Sequence, residues 1–310
     1  MRTSTIIFSI FLGFILIQTS QANPQDDGIC QGLALQGATD NGAYQAGAIW
    51  SLVNNGQPGE YNWDIVTGVG IGAINTAWIS QFSKGDEQPM ADELLNFWQT
   101  SKASDFYKSW LGGIVQGLLF EPALYDTSPG VEFMRARITK PPQRNVTVGA
   151  TNCDDATFWT FDFYEDQLGM SDFLNLVFAS NAKAAVFPMQ QVNNINLIEG
   201  SIMKNLDVAS IVAHCRKVTN NDDSKIFVDA VLVTTSEWKE LDITGYNTIQ
   251  MLFVTEAITD YRATMYDIQK AQWEYPNVNF RYLVEPSSPL PSAVKPYAFS
   301  KKQISKMIDQ

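Results

Sequence analysis

Residues 64–75 have the sequence DIVTGVGIGAIN, and this stretch decides the fold. Residues 63–69 have the apolar, β-branched composition of a buried strand, and residues 71–82 have the small and apolar composition of a packed helix. The same order occurs upstream, where a short apolar strand, residues 32–35, leads through a glycine-containing turn into helical spacing over residues 43–53. Two successive units of strand, tight turn and helix predict an α/β fold with a mostly parallel sheet.

More strands and helices are predicted downstream, and no linker divides them. The predicted strands are residues 146–150, 157–163, 226–233 and 278–283, and the predicted helices are residues 172–180, 206–216 and 248–275. No stretch rich in proline, glycine and serine separates these segments, and no repeat of fixed period is present. Residues 30–310 are therefore predicted to form one domain.

The first residues have the layout of a secretory signal peptide. Arg2 precedes an apolar run over residues 6–17, and the small residues Ser20 and Ala22 follow it. The run is shorter than the roughly 20 residues that cross a bilayer, so cleavage after Ala22 is predicted rather than a membrane anchor. Residues 1–22 are thus predicted to be a signal peptide and residues 23–29 a flexible segment. The mature protein is expected outside the cell or in the lumen of the secretory pathway, with no transmembrane span.

The charge balance is acidic. Loss of residues 1–22 removes one positive charge, Arg2, and no negative one, so the net charge of −12 becomes −13. A field of this sign repels phosphate groups, which counts against nucleic acid as a partner and against purely electrostatic docking on anionic lipid.

Cysteine and histidine are scarce. Of the three cysteines, at most one pair can form a disulfide, and Cys153 with Cys215 is the pair expected. Since His214 is the only histidine, no histidine-rich metal site can be built, and neither a metal nor a cofactor is predicted. Asn145 begins an Asn-Val-Thr sequence, which is a predicted glycosylation site in a secretory compartment.

The turn between residues 68 and 72 has the frame of a nucleophile elbow, Gly-x-Ser-x-Gly. In such an elbow the outer glycines, here Gly68 and Gly72, let strand and helix approach closely, while the central residue holds a strained backbone that aims its hydroxyl into the site. Gly70 occupies the centre and has no hydroxyl.

These motifs together resemble the patatin-like phospholipase family. A glycine-containing loop over residues 36–42, the elbow, and Glu199-Gly200 in the place of an Asp-Gly pair follow each other in the family's order. Further matching segments are residues 43–47, 124–129, 179–182, 187–188, 204–206 and 289–308. The resemblance implies a three-layer α/β fold with a central, mostly parallel sheet flanked by helices.

The resemblance also implies a chemistry, in which serine attacks a lipid acyl ester, aspartate is the base, and the glycine-rich loop donates backbone amides to the oxyanion. Gly70 stands in the serine position and Glu199 in the aspartate position, so no acyl-enzyme can form there. The oxyanion-loop positions are Gly37, Ala38, Thr39 and Gly42. Because Ala38 and Thr39 stand where glycine is usual, their β-carbons would crowd this loop.

A catalytically inactive protein is therefore predicted, which binds a lipid or fatty-acyl ligand or a protein partner, or serves as a structural or storage-type component of a secretory compartment. The alternative is a weak acyl hydrolase in which Glu199 activates water. Thr67 and Thr76 are not expected to replace the missing hydroxyl, because one precedes the turn and the other lies a helical turn beyond it. A dinucleotide-binding turn at residues 37–42 is disfavoured by Asp40, whose charge would repel a pyrophosphate.

One apolar segment allows two interpretations. Residues 106–120 have apolar side chains at helical spacing, interrupted by three glycines. A packed connector is the favoured interpretation, because apolar periodicity usually means core, and an apolar flap over a lipid pocket is the alternative.

Overall fold

The computed structural model describes residues 28–37, 40–238, 242–291 and 297–310. The predicted signal peptide, most of the segment 23–29, and the loop residues Ala38 and Thr39 lie outside these ranges. Among the helices of the described residues, none combines the length and the apolar character that a membrane crossing requires.

Strands and helices alternate along the chain, as the sequence predicts. The strands are β1 (Cys30–Leu35), β2 (Ile65–Val69), β3 (Lys108–Ser109), β4 (Tyr125–Asp126), β5 (Asn145–Asn152), β6 (Thr157–Asp162), β7 (Gln190–Val192), β8 (Ile195–Ile198), β9 (Ile226–Val231) and β10 (Asn279–Val284). The α-helices are α1 (Gly42–Asn55), α2 (Ile71–Ile79), α3 (Glu87–Thr100), α4 (Ala103–Phe106), α5 (Gly113–Leu119), α6 (Ser128–Arg137), α7 (Met170–Ser180), α8 (Val208–Val218), α9 (Thr248–Glu274) and α10 (Lys301–Ile308).

A central sheet of eight strands organises the described part of the chain. Its order is β10-β9-β1-β2-β5-β8-β7, with β6 paired to β5 beside this path. The five strands from β10 to β5 are parallel, whereas β6, β7 and β8 add antiparallel pairs at one side. The predicted α/β class with a mostly parallel sheet is confirmed.

Helices cover both faces of this sheet. Leu33 and Leu35 of β1 pack into a core with α1, α2 and α3, whereas Ala34, which points to the other face, packs with α8. A β-carbon on Gly32 would lie 2.2 Å from a side-chain carbon of Ile211, so α8 approaches β1 more closely than any larger residue would allow. The arrangement of helices, sheet and helices is the predicted three-layer fold.

The disulfide differs from the prediction. Cys30 is bonded to Cys215, with their Cα atoms 5.4 Å apart, and Cys153 is a free, exposed thiol. Cys30 begins β1 and Cys215 lies on the buried face of α8 that packs against β1. Cys153 follows the last residue of β5, at the opposite end of the parallel strands, so it cannot reach Cys215.

The segment 106–120 also differs from the favoured interpretation. Phe106 and Tyr107 are buried, but the apolar side chains from Leu111 to Phe120 are mostly exposed. The glycine side of α5 faces Leu124, since a β-carbon on Gly117 would lie 2.6 Å from the carbonyl oxygen of Leu124. The segment is a protrusion and not a packed connector.

The Cys30–Cys215 bond should contribute strongly to stability, because it closes a loop with a sequence separation of 185 residues. Replacing both residues by alanine is expected to lower the free energy of unfolding by about 4–5 kcal/mol, mainly through a less restricted unfolded chain. Denaturant titration followed by circular dichroism measures this loss. Cys153→Ser is the matched control and should unfold with the parent; equal stability of all three proteins would contradict the assigned role.

Candidate functional site

The strand-to-helix turn has the backbone of an elbow. Gly70 lies between β2 and α2 with φ 53° and ψ −123°, a conformation that side-chain-bearing residues rarely adopt. A β-carbon on Gly68 would lie 2.4 Å from the carbonyl oxygen of Gly72, and one on Gly72 would lie 2.4 Å from the carbonyl oxygen of Leu35. The outer glycines are therefore required by close backbone approach, and the central one retains the strained geometry without a side chain to present.

A buried network of polar side chains connects the turn to the neighbouring helices. The amide of Asn75 on α2 donates to the carbonyl oxygen of Gly42 at 3.1 Å and to the side chain of Gln45 at 2.8 Å. Gln45 donates in turn to the carbonyl oxygen of Gln36 at 2.8 Å, and Trp98 on α3 donates to Asn75 at 2.7 Å. These bonds tie α1, α2 and α3 to both glycine-containing turns.

One serine does approach the turn. Ser180, the last residue of α7, is fully buried, and its Oγ accepts the N–H of Gly70 at 2.8 Å. The hydroxyl of Ser180 donates to the carbonyl oxygen of Gly149 at 2.5 Å, so its proton and one lone pair are both used by the backbone. This arrangement makes Ser180 a structural brace of the turn. The sequence marks Ser180 only as part of a matching segment and gives no sign of this contact.

The two threonines near the turn point elsewhere. Thr67 donates its hydroxyl to the carbonyl oxygen of Asp207 at 2.8 Å. Thr76 is buried, and its Oγ1 faces the space beside Gly68, where a β-carbon would lie 2.4 Å from it. Both hydroxyls thus face residues other than Gly70.

Glu199 follows β8, and Gly200 follows it directly. A β-carbon on Gly200 would lie 2.4 Å from the carbonyl oxygen of Gly149, so this glycine packs against the same strand that Ser180 contacts. Burial raises the pKa of Glu199, while Lys183 and a hydrogen bond with Ser201 oppose the rise. The carboxyl group is thus held among other ionisable side chains.

Helix α9 brings two more carboxyl groups to Glu199. Glu256 forms an ion pair with Lys183, and Asp260 lies one turn further along the helix. Burial, with the negative charges of Glu199 and Glu256, raises the pKa of Asp260 to about 8. Although burial lowers the pKa of Lys183, the acidic side chains around it raise it overall. The sequence predicts α9 but contains no motif that assigns its acidic residues to the site.

The described part of the oxyanion-loop region is tied to its neighbours. Gly37 donates its N–H to the carbonyl oxygen of Asn205 at 2.9 Å, and Gly42 begins α1. Asp40 accepts the N–H of Tyr297 at 2.6 Å, and burial raises its pKa to about 6. The backbone of Ala38 and Thr39, where the sequence predicts crowding, lies outside the described residues.

Tyr297 fills the space beside this loop. Its buried ring stacks on Phe106 with centroids 4.6 Å apart and on Phe187 at 6.2 Å, and its hydroxyl group bonds Asn181. A small cavity adjoins this stack, lined by Phe106, Thr127, Phe178, Asn181, Phe187, Pro188, Gln190 and Tyr297. The site therefore has an aromatic wall beside its ionisable groups.

Two other predicted features lie away from Glu199. Asn145 is the half-buried first residue of β5, paired with Ile65, and its glycosylation stays a prediction. His214 on α8 lies with Asp162 and Glu165, and ligand-type atoms of the three fall within 4.8 Å of one another. In this group the ammonium of Lys217 already contacts Glu165.

The raised pKa of Asp260 predicts a pH dependence of stability. The folded state holds the Asp260 proton up to a pH of about 8, whereas the unfolded chain releases it near its ordinary value of 3.8. This contribution to stability is complete below the unfolded pKa and is lost as pH rises through the folded one. Asp260→Asn should therefore flatten the decline of unfolding free energy between pH 5 and 8, by about 1 kcal/mol per pH unit. Denaturant titrations at several pH values check this, and parallel curves would contradict it.

Comparison with known proteins identifies the family. Residues 33–212, more than half of the chain, match the family described as patatin-like phospholipase. A search of curated proteins finds no match. Two solved structures show only distant similarity. VipD from Legionella pneumophila has 10% identity and a TM-score of 0.40, over 91% of this chain and 67% of that one.

The second is the complex of full-length SpcU with full-length ExoU from the type III secretion system of Pseudomonas aeruginosa. The matched chain has 13% identity and a TM-score of 0.34, over 78% of this chain and 52% of that one, so the protein spans about half of its length. The assignment rests on the family match over residues 33–212, which includes the glycine-containing loop 36–42, the elbow and Glu199-Gly200. The chain belongs to the patatin-like phospholipase family.

Proposed function

We propose that this protein is a secreted, catalytically inactive member of its family that binds a lipid or fatty-acyl ligand. The observation that carries the proposal is the elbow at Gly70, which has the strained backbone of a nucleophile position and no nucleophile. Covalent acyl transfer at this turn needs an activated oxygen or sulfur atom, and glycine supplies neither.

The surroundings of Gly70 support inactivity. The hydroxyl of Ser180 is already donated to a backbone carbonyl and lacks an adjacent base in the contacts it makes. Burial raises the pKa of Glu199, and the groups that favour its charged form are Lys183 and Ser201 rather than a nucleophile at the elbow. A general base must lie within hydrogen-bond reach of the proton that it removes.

The composition of the aromatic wall is compatible with a lipid ligand. The rings of Phe106, Phe187 and Tyr297 are buried beside Asn181 and Gln190, and the cavity that they line, about 10 Å³, has room for no more than a water molecule. An acyl chain would therefore bind only after this stack opens. A fatty-acyl chain with a polar head matches that composition, and a protein partner in place of the lipid is the other outcome of the tests.

The disulfide supports the proposed secretion. Cys30–Cys215 is buried at the junction of β1 and α8, and structural disulfides of this kind form in oxidising compartments. Cleavage after Ala22 would leave Cys30 near the start of the mature chain.

The purified protein is expected to show no labelling by a fluorophosphonate probe, which needs an activated serine, and no hydrolysis of short or long acyl esters. Gly70→Ser combined with Glu199→Asp restores the family's two reactive side chains and is expected to gain labelling. Labelling that disappears in Ser180→Ala would identify a substitute nucleophile and contradict inactivity. Hydrolysis that disappears in Glu199→Gln would instead establish the weak hydrolase with Glu199 as base.

Protein isolated from the medium of expressing cells is expected to carry a bound acyl lipid. Extraction under denaturing conditions followed by mass spectrometry should recover one lipid class at close to equimolar amount. A delipidated sample is the control, and it should rebind a fluorescent fatty acid. Absence of lipid in the extract together with failure to bind the fatty acid would contradict the ligand-binding proposal.

A further inference from the structure

The protrusion formed by Trp110–Phe120 exposes an unusual number of large apolar side chains. Leu111 is 107% exposed, so no residue in the described ranges covers it. The other exposed members are Ile114 at 51%, Val115 at 65%, Leu118 at 70%, Leu119 at 64% and Phe120 at 79%. Scattered apolar residues are ordinary on a protein surface, but a contiguous set of this kind marks a contact surface.

The protrusion carries no charged side chain between Ser109 and Phe120. Its polar side chain, Gln116, accepts the N–H of Gly112 at 2.7 Å and donates to Glu121 at 2.5 Å. The indole N–H of Trp110 donates to the carbonyl oxygen of Ala123 at 3.0 Å, and the N–H of Gly113 donates to the carbonyl oxygen of Trp110 at 2.9 Å. These four groups of the protrusion, namely the Gln116 side chain, the Trp110 indole and the N–H groups of Gly112 and Gly113, thus have partners within the protrusion or in the residues that directly follow it.

Internal hydrogen bonding of this kind favours a lipid surface as the occupant. Hydrocarbon offers no hydrogen-bond partners, so a segment can enter it at low cost only when its own polar groups are satisfied. A protein interface, in contrast, usually surrounds its apolar centre with polar and charged side chains that bond the partner. No charged side chain stands between residues 109 and 120, and the first charges, Lys108 and Glu121, lie at the two ends of the segment. Trp110, half-buried and hydrogen-bonded at its base, suits the boundary between lipid and water.

The base of the protrusion is joined to the candidate site. Leu124 and Tyr125, which follow α5, donate their N–H groups to the carbonyl oxygens of Ala185 and Val186, at 2.9 and 3.1 Å. Those residues come just after Lys183, the ion-pair partner of Glu256. Insertion of the tip would therefore bring the loop beside Lys183 close to the membrane.

We propose that the protrusion Trp110–Phe120 inserts into the outer leaflet of a neutral lipid bilayer and docks the protein there. The loop beside Lys183 then lies close to the membrane. This deepens the proposed lipid-binding function and rests on it for the ligand class. A zwitterionic surface is specified because the net charge, −12 for the full sequence and −13 without residues 1–22, opposes anionic lipid.

The full chain after signal removal is tested by cosedimentation with phosphatidylcholine vesicles. The parent protein is expected to bind, and Leu111→Glu combined with Leu118→Glu is expected to lower the partition coefficient at least ten-fold, because two charges would have to enter hydrocarbon. Leu283→Glu, at a side chain 46% exposed on the edge strand β10, is the matched control and should bind like the parent. With brominated lipid, Trp110→Phe should lose part of the fluorescence quenching while it retains binding.

Three results would overturn this inference. The first is absence of vesicle binding by the parent protein, and the second is equal binding by the protein with both charges. The third is that the parent protein elutes as a dimer in size-exclusion chromatography whereas the charged variant elutes as a monomer. The protrusion would then bind a second copy of the protein rather than lipid. Binding of a fluorescent fatty acid separates the two proposals: if it persists without vesicle binding, only the docking proposal fails, and if both are absent, both fail.

Discussion

The close approach of three backbone segments at the elbow constrains the rest of the structure. Gly68 and Gly72 leave no room for a β-carbon, because β2, α2 and the end of β1 lie against one another there. Since β1 and β2 are neighbours in the parallel sheet, this contact fixes where α1 and α2 begin and which residues of both turns face each other. The network through Asn75 and Trp98 then fastens α3 to the same point. The backbone of a reactive turn persists here because packing requires it, whatever side chain stands at Gly70.

The ionisable groups beside this turn are several carboxyl groups around one lysine, rather than a single acid paired with a nucleophile. Glu256 forms an ion pair with Lys183, and the positive charge of Lys183 also lowers the pKa values of Asp40, Glu199 and Asp260, although burial raises each of the three overall. One positive charge cannot balance four carboxylates in a poorly solvated space, and burial keeps Asp260, whose pKa is raised to about 8, protonated near neutral pH. Burial of these charged groups is unfavourable. Helix α9, through the Lys183–Glu256 ion pair, and the C-terminal segment, through the bond from the Tyr297 N–H to Asp40, hold the groups together.

Local patterns in the sequence predict much of the fold, whereas long-range packing decides the features that they miss. The run DIVTGVGIGAIN correctly places a strand, a tight turn and a helix, because glycine spacing and apolar composition act over neighbouring residues. The pairing of Cys30 with Cys215 depends on which end of the sheet each cysteine reaches, and spacing along the chain does not contain that information. Apolar periodicity over residues 106–120 favours a packed core, but the same pattern is also formed by an exposed tip, and only tertiary packing decides between them. Helix α9 is predicted, but only tertiary packing brings Asp260 to Glu199.

The Cys30–Cys215 bond also constrains the order in which parts of the chain can fold. Strand β2, one neighbour of β1 in the sheet, follows it closely in the sequence. The other neighbour, β9, and Cys215, the partner of Cys30, come about two thirds of the way along the chain. During synthesis the thiol of Cys30 therefore waits through most of translation before its partner exists, and Cys153 emerges first. An early bond between Cys30 and Cys153 would join opposite ends of the parallel strands, so it has to be exchanged before the sheet can close. A thiol–disulfide isomerase would shorten that search.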